Sequence, residues 1–552
     1  MSKKHILPAV AAIAALMPLQ ALCCTNLIAG KKASADGSVM VTYAADSHTL
    51  YGMLTHTPAA DHPKGSVRKV VDWDTGKPLG EIPQVAHTYN VVGNMNEHQL
   101  AIGESTWGGH EELTDTTGNS VIDYGSLIQL ALERAKTARE AIKVMTDLVD
   151  KYGYASSGES FSIADKNEVW VMEMIGKGAE KGAVWIAVRI PDDAISGHAN
   201  EPRIRKVNMK DKEHVMHSKD VVSFARKRGY FTGKDEDFSF ADAYGEHNAD
   251  TRRGCDARVW SFFRRFKPST DSYYSWCVGE SDDPMPLYIV PDRKVSLAEM
   301  QNSMRDHFEG TPLNMTSDIG AGPNKVPYRW RPMTFKVDGK EYCNERAIAT
   351  QQTGWSFVSQ SRDWLPDPVG GVLWFGTDDT NTTVYMPFYC SMTEIPLQLR
   401  EGDINNFSMD SNFWMNNWVA NQAYNRYDLM IPDIRKVQGA LEGKYQSSRT
   451  DRDKELSAMA EKGDMQSLVA SVNAEGAAIA KESTDAYRDL AQYLLVRFMD
   501  GNMKKTDENG KFMYNEYGLP KSPSFPGYNQ EYYDNIVRTT GDHFLIPAPE
   551  KK

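Results

Sequence analysis

The sequence predicts an α+β protein in which antiparallel sheets are covered by helices, with a helical carboxy-terminal region. Three observations carry this prediction. Short apolar or β-branched runs come in pairs joined by tight-turn residues, the mark of hairpins. A block of helical spacing over residues 124–151 separates two clusters of such runs. From Asn412 onward the apolar positions recur at helical spacing. Hairpin links favour antiparallel pairing, because parallel strands need a long crossover.

The chain has 552 residues, 41% hydrophobic and 25% charged, with a net charge of −12. This is globular composition on a scale that supports a large core. The acidic balance disfavours nucleic acid or an anionic membrane as partner. Residues 1–23 read as a secretory signal: Lys3, Lys4 and His5 are basic, Ile6 to Met17 is apolar, and Pro18 to Cys23 forms a cleavage region. The apolar run is too short for a comfortable membrane span, and no later run is long enough. Leu22 is a poor neighbour for lipid attachment at Cys23. Cleavage after Cys23 puts small residues, Cys23 and Ala21, where signal processing wants them, so Cys24 is the expected new terminus. The expected location is secreted or periplasmic.

Taken in order, residues 25–29 and 39–43 are strands around an Asp36-Gly37 turn, with Cys24 at the head of the first. Residues 70–87 are mixed, with turn signals at Asp74-Thr75-Gly76 and Pro83. Residues 89–92 and 99–103 are strands about an Asn94–Glu97 turn. In the helix over 124–151, Ala138, Ala141, Ile142, Met145, Leu148 and Val149 share one face. Residues 161–164 and 169–174 flank the turn residues Asp165-Lys166-Asn167, and 184–190 and 195–199 continue the strand pattern. Helices are expected at 259–266 and 297–308, and strands at 354–360, 372–375 and 384–390. The remaining helices fall at 413–424, 434–445, 454–461 and 465–499, with Gly476 as a break, before a polar tail that wraps the surface from Gly501.

Six cysteines are present, and signal removal leaves five: Cys24, Cys255, Cys277, Cys343 and Cys390. An odd count in an oxidising compartment leaves at least one unpaired thiol, which suits a reactive Cys24. The spacing does not fix the pairing of the other four, and no close pair matches a metal motif. An amino-terminal cysteine carries a thiol and a free α-amine on one residue. The amine, with an ordinary pKa near ~7.7–8.0, can take the thiol proton and later protonate a leaving amine, so no histidine is needed.

Cys24-Thr25 with the Gly30–Ser38 run resembles the amino terminus of the bacterial dipeptidases of the cysteine Ntn-hydrolase superfamily, relatives of penicillin V acylase, bile salt hydrolase and the secernins. Met95-Asn96-Glu97-His98 with Ala101-Ile102-Gly103, Ala199–Ile204, Ala257–Trp260, Gln352-Thr353-Gly354 and Gly370–Gly376 resemble further family stretches in the same order. The resemblance runs from Cys24 to about Tyr427. It implies an αββα sandwich of two antiparallel sheets between helical layers, with residues 24–410 catalytic and residues 411–552 a helical extension packed on them.

The resemblance also implies roles. Cys24 is the nucleophile. Asp46 orients the α-amine, with a turn-capping acid as the competing reading. The family often has Arg-x-x-Asp here, and this chain has Tyr43 in place of the arginine. Asn200 matches an oxyanion-hole asparagine, against the reading of an ordinary loop residue. A second donor is expected from Glu104-Ser105-Thr106, either a backbone amide or the Thr106 hydroxyl. Arg258 matches an active-site arginine, against an exposed helix arginine. Tyr43, Glu104 and Thr106 are thus the expected substrate contacts. The acidic pairs Asp282-Asp283 and Asp378-Asp379 read as solvated turns, against the reading of a site for a cation or for the ammonium of a peptide substrate. No cofactor and no metal is expected. The implied activity is dipeptide hydrolysis through a thioester acyl-enzyme, by analogy in a homo-oligomer. The rivals are an N-acyl amide hydrolase and an inactive binding protein of the same fold.

Overall fold

A computed structural model of the protein describes residues 24–248, 251–400 and 402–548. The signal expected over 1–23 lies outside the described residues. Among these residues most strands fall in two large sheets whose strands pair antiparallel, with three two-stranded sheets beside them, and helices cover the outer face of each large sheet.

The first sheet holds seven strands, in the order Tyr288–Ile289, Ile195–His198, Asn26–Ala29, Val39–Asp46, Thr353–Ser361, Val372–Thr377 and Met386–Tyr389. The expected first hairpin is at its centre, with Ile28 opposite Val41. Both its strands are buried on both faces, which explains their continuous apolar runs. The second sheet has eight strands, led by Ala101–Trp107, Gly158–Ala164, Val169–Lys177 and Glu180–Ile190. The sheets are linked by a polar bridge as well as by packing. His198 of the first receives or donates hydrogen bonds with Ser105 and Ser162 of the second, both at 2.7 Å. Burial pushes the pKa of this imidazole down to about 3, so it stays neutral.

The helical block at 124–151 is two helices, Tyr124–Arg134 and Ala138–Tyr152. Thr137 breaks it by capping the second, its side chain accepting from Glu140 N. All six apolar residues assigned to one face are buried. These helices cover the second sheet, and the first is covered by Ala257–Phe266 and by Asn412–Ala423, Tyr427–Glu461 and Met465–Phe498.

Several expected elements differ. Met95–Asn96 is a short strand inside the predicted turn. The helix after Leu297 stops at Ser303. The two helices expected between 434 and 461 are one. Gly476 does not interrupt its helix: a Cβ there would lie 3.0 Å from Met392 Sδ, so glycine lets the helix sit close to the sheet. The tail folds a further helix, Gln530–Thr540. Asp378 and Asp379 are buried rather than solvated, with Asn417 donating to Asp378 at 2.9 Å and Tyr424 to Asp379 at 3.1 Å.

Candidate active site

Cys24 lies at the head of the central hairpin. Reciprocal backbone hydrogen bonds between Thr25 and Ala44, 3.3 and 3.0 Å, set it beside the end of the next strand, where Asp46 stands. The residue is 3% exposed. Arg258, from the helix Ala257–Phe266, holds it from behind: Nη1 donates to Cys24 O and to Thr25 Oγ1, both at 2.8 Å. The other arm donates to Asn200 Oδ1 at 2.9 Å and to Ala199 O at 3.2 Å. Arg258 is therefore a buried clamp joining two sequence-predicted residues, and the exposed-helix reading is wrong.

Asp46 is 1% exposed. Its carboxylate accepts from Thr353 Oγ1 at 2.6 Å and forms an ion pair with Arg346. Burial pushes its pKa up, and Arg346 and Thr353 act in the opposite direction. Arg346 supplies, from 300 residues downstream, a guanidinium on this acid. Sequence reasoning missed it, because an isolated arginine in a loop gives no local signal. Thr353 belonged to a recognised stretch but had no role assigned.

The thiol itself faces an acid. Cys24 Sγ donates to Glu104 Oε1 at 3.5 Å and lies 3.9 Å from Tyr43 Oη. Tyr43 also donates to Glu104 Oε1. Burial raises the thiol pKa well above its ordinary value, and Glu104 and Asp46 raise it further. A backbone hydrogen bond from Asp46 opposes them. Glu104 is raised to about 7, chiefly by burial. Behind it Glu159 is pushed well above the carboxylate range by burial and by Glu104, so Glu159 keeps its own proton, and its hydrogen bond to Glu104 lowers the Glu104 pKa. Glu104 and Glu159 are thus a buried carboxyl pair under the thiol, Glu159 protonated and Glu104 at about 7. Glu159 had no sequence signal as a partner, since its meaning depends on burial.

Gly103 brings the layers together here. A Cβ on it would fall 2.2 Å from Asn26 Oδ1 and 3.1 Å from Tyr43 Cβ. Asn26 Nδ2 in turn donates to Glu104 O. Asn200 adopts φ 58° and donates from Nδ2 to Thr106 O at 2.5 Å. The Thr106 hydroxyl donates to Glu159 Oε1 at 2.9 Å. Glu104 and Thr106 therefore support the floor of the site, whereas Tyr43 lines its opening.

A cleft of about 70 Å³ opens over Cys24, lined by Tyr43, Asp46, Ser47, Trp73, Asp74 and Tyr124 among others. A larger cavity of about 590 Å³, beside Trp364 and Arg449, does not reach Cys24. Among the described residues no cluster of three or more His, Cys, Asp and Glu side chains is arranged to hold a metal ion, and no helix is long and apolar enough to cross a membrane.

A buried cysteine, an acid–arginine pair beside it and a clamping arginine, set on the central hairpin of a two-sheet sandwich, define a class. Residues 23–440 match peptidase family C69. The chain belongs to this family, within the Ntn-hydrolase-like cysteine peptidases. Among its relatives, a protein of Salmonella dublin named as a probable dipeptidase is 28% identical over 394 residues, covering 67% of this chain and 82% of its own. A probable dipeptidase of Latilactobacillus sakei is 24% identical over 488 residues, covering 86% and 94%. Dipeptidase A of Lactobacillus helveticus is 24% identical over 445 residues, covering 77% and 85%.

Proposed function

We propose that the mature protein begins at Cys24 after export and hydrolyses dipeptides with the Cys24 thiol as nucleophile. The observation that carries this reading is the placement of Cys24 at the floor of the cleft, its carbonyl clamped by Arg258 and its thiol 3.5 Å from Glu104. Sγ attacks the scissile carbonyl while its proton passes to a base. Two groups near neutral pKa are available: the Cys24 α-amine, at ~7.7–8.0 when unperturbed, and Glu104, at about 7. The tetrahedral oxyanion is stabilised by neutral donors, each worth ~10²–10³ in rate. Thr106 O accepts from Asn200. The N–H of an extended residue points to the same side as its carbonyl, so the Thr106 amide and the Asn200 side chain share that edge as donors. The departing amine takes the proton, and water hydrolyses the thioester.

Asp46 with Arg346 fits the task of orienting the α-amine. This pair offsets Tyr43 in place of the usual arginine, which weakens the case for an inactive binding protein. The test is turnover of a dipeptide panel by wild type and Cys24→Ala. Loss of at least ~10³-fold with an unchanged melting temperature supports the reading. Activity retained by Cys24→Ala contradicts it.

A further inference from the structure

A hairpin of residues 67–71 and 78–83 brings its tip over the cleft. Three bonds pin it to the start of the helix Tyr124–Arg134. Trp73 N donates to Asp123 Oδ2 at 3.0 Å, Ser126 Oγ to Val71 O at 2.9 Å, and Tyr124 Oη to Asp74 Oδ1 at 2.9 Å. The Trp73 ring lies over Gly125. Asp72 closes the turn by accepting from Thr75 N at 2.9 Å. Asp74 is thus held at the cleft mouth, where Tyr124 donates to one carboxylate oxygen and, among the described residues, no protein donor reaches the other.

The charges around it are one-sided. The cleft lining contains no lysine, arginine or histidine. Asp46 is met by Arg346, but among the described residues no basic side chain pairs with Asp74. Burial, and to a smaller extent its acidic neighbours Asp72 and Asp123, hold its pKa above the usual carboxylate value against the hydrogen bond from Tyr124. An unmatched carboxylate beside an indole and a phenol ring is a receptor for an ammonium group. In a dipeptide the α-ammonium nitrogen is about 2.5 Å from the carbon that Cys24 attacks, by backbone geometry. It must therefore fall within the same small cleft.

We propose that Asp74, flanked by Trp73 and Tyr124, is an ammonium-binding subsite that makes the enzyme require a free α-amine on the residue it acylates. This rests on the reading of Cys24 as nucleophile toward peptides. It confines cleavage to the first peptide bond and turns away N-acylated substrates, separating this cleft from that of an N-acyl amide hydrolase.

The test compares an alanyl dipeptide with its des-amino propionyl analogue, in wild type, Asp74→Asn and Asp74→Glu of matched melting temperature. Wild type is expected to prefer the free amine by at least about a hundredfold in kcat/KM. Asp74→Asn should lose about tenfold to a hundredfold on the dipeptide, mainly through KM, and nothing on the analogue. Asp74→Glu should recover part of the loss. Calorimetric binding of both compounds to Cys24→Ala, with and without Asp74→Asn, gives the same comparison without turnover. Equal losses on both compounds, or unchanged discrimination, overturns the subsite. If wild type hydrolyses neither compound, the dipeptidase reading itself falls, a result distinct from turnover with unaltered discrimination.

Discussion

The Cys24 thiol and the Glu104 carboxyl lie 3.5 Å apart in a buried site, and burial raises the pKa of both. A carboxyl near 7 is an acceptor above that pH and not below it. If Glu104 takes the thiol proton, kcat/KM rises with pH through about 7 and is lost as pH falls through it. Glu104→Gln should remove this limb and lower kcat/KM by roughly 10²–10⁴, as a pH–rate profile would show; an unchanged limb would leave the α-amine as sole base. At this scale, Cys24 was singled out by its place at the expected cleavage point, and Asp46, Asn200 and Arg258 by the stretches that resemble the family. The structure joins three of them through one guanidinium. Arg346 was not legible, since its ion pair closes a loop of 300 residues. Glu104 was assigned to substrate contact and lies instead beneath the thiol, because burial decides what a carboxyl does.

The central hairpin and the strand Ala101–Trp107 carry the site on two different sheets, so their separation matters. Gly103 sets it: a Cβ would overlap Asn26 Oδ1 at 2.2 Å. Gly103→Ala is expected to destabilise by about 1–3 kcal/mol through overpacking. It should also reduce activity by displacing Asn26 from Glu104 O. Thermal unfolding and steady-state rates would measure both, and a neutral outcome would show that the layers yield easily. Hairpins were the legible elements, because turn residues between apolar runs encode them locally. Helix limits were less so: Thr137 acts through a cap inside a continuous periodic run, and Gly476 answers to Met392 and Phe388 on the sheet. Asp74 read only as part of a turn signal, since its relation to Cys24 arises when the hairpin docks on Tyr124.

Across the described residues the helices after Asn412 share the core of the first sheet. One buried cluster runs from Cys24 through Trp374 to Phe498. The joint also contains buried charge: Arg362 pairs with Asp453, which accepts from Tyr389 Oη at 2.7 Å. Removing one partner of such a pair leaves an uncompensated charge, so Asp453→Ala should cost about 3–5 kcal/mol. A loss below about 1 kcal/mol in denaturant unfolding would show that the helices dock by apolar contact alone. Antiparallel sheets covered by helices were legible from hairpin pairing, and their stacking in two layers from the family resemblance; the depth of this integration was not, because it rests on contacts between distant segments.

The chain as translated places Cys24 behind 23 residues, and the proposed chemistry requires them gone. The most direct measurement is the intact mass and amino-terminal sequence of the exported protein, with and without iodoacetamide. A terminus at Cys24, alkylated there with loss of dipeptide hydrolysis and protected by excess dipeptide, is the predicted result. An active protein that retains residues before Cys24, or stays active after Cys24 is alkylated, would contradict it.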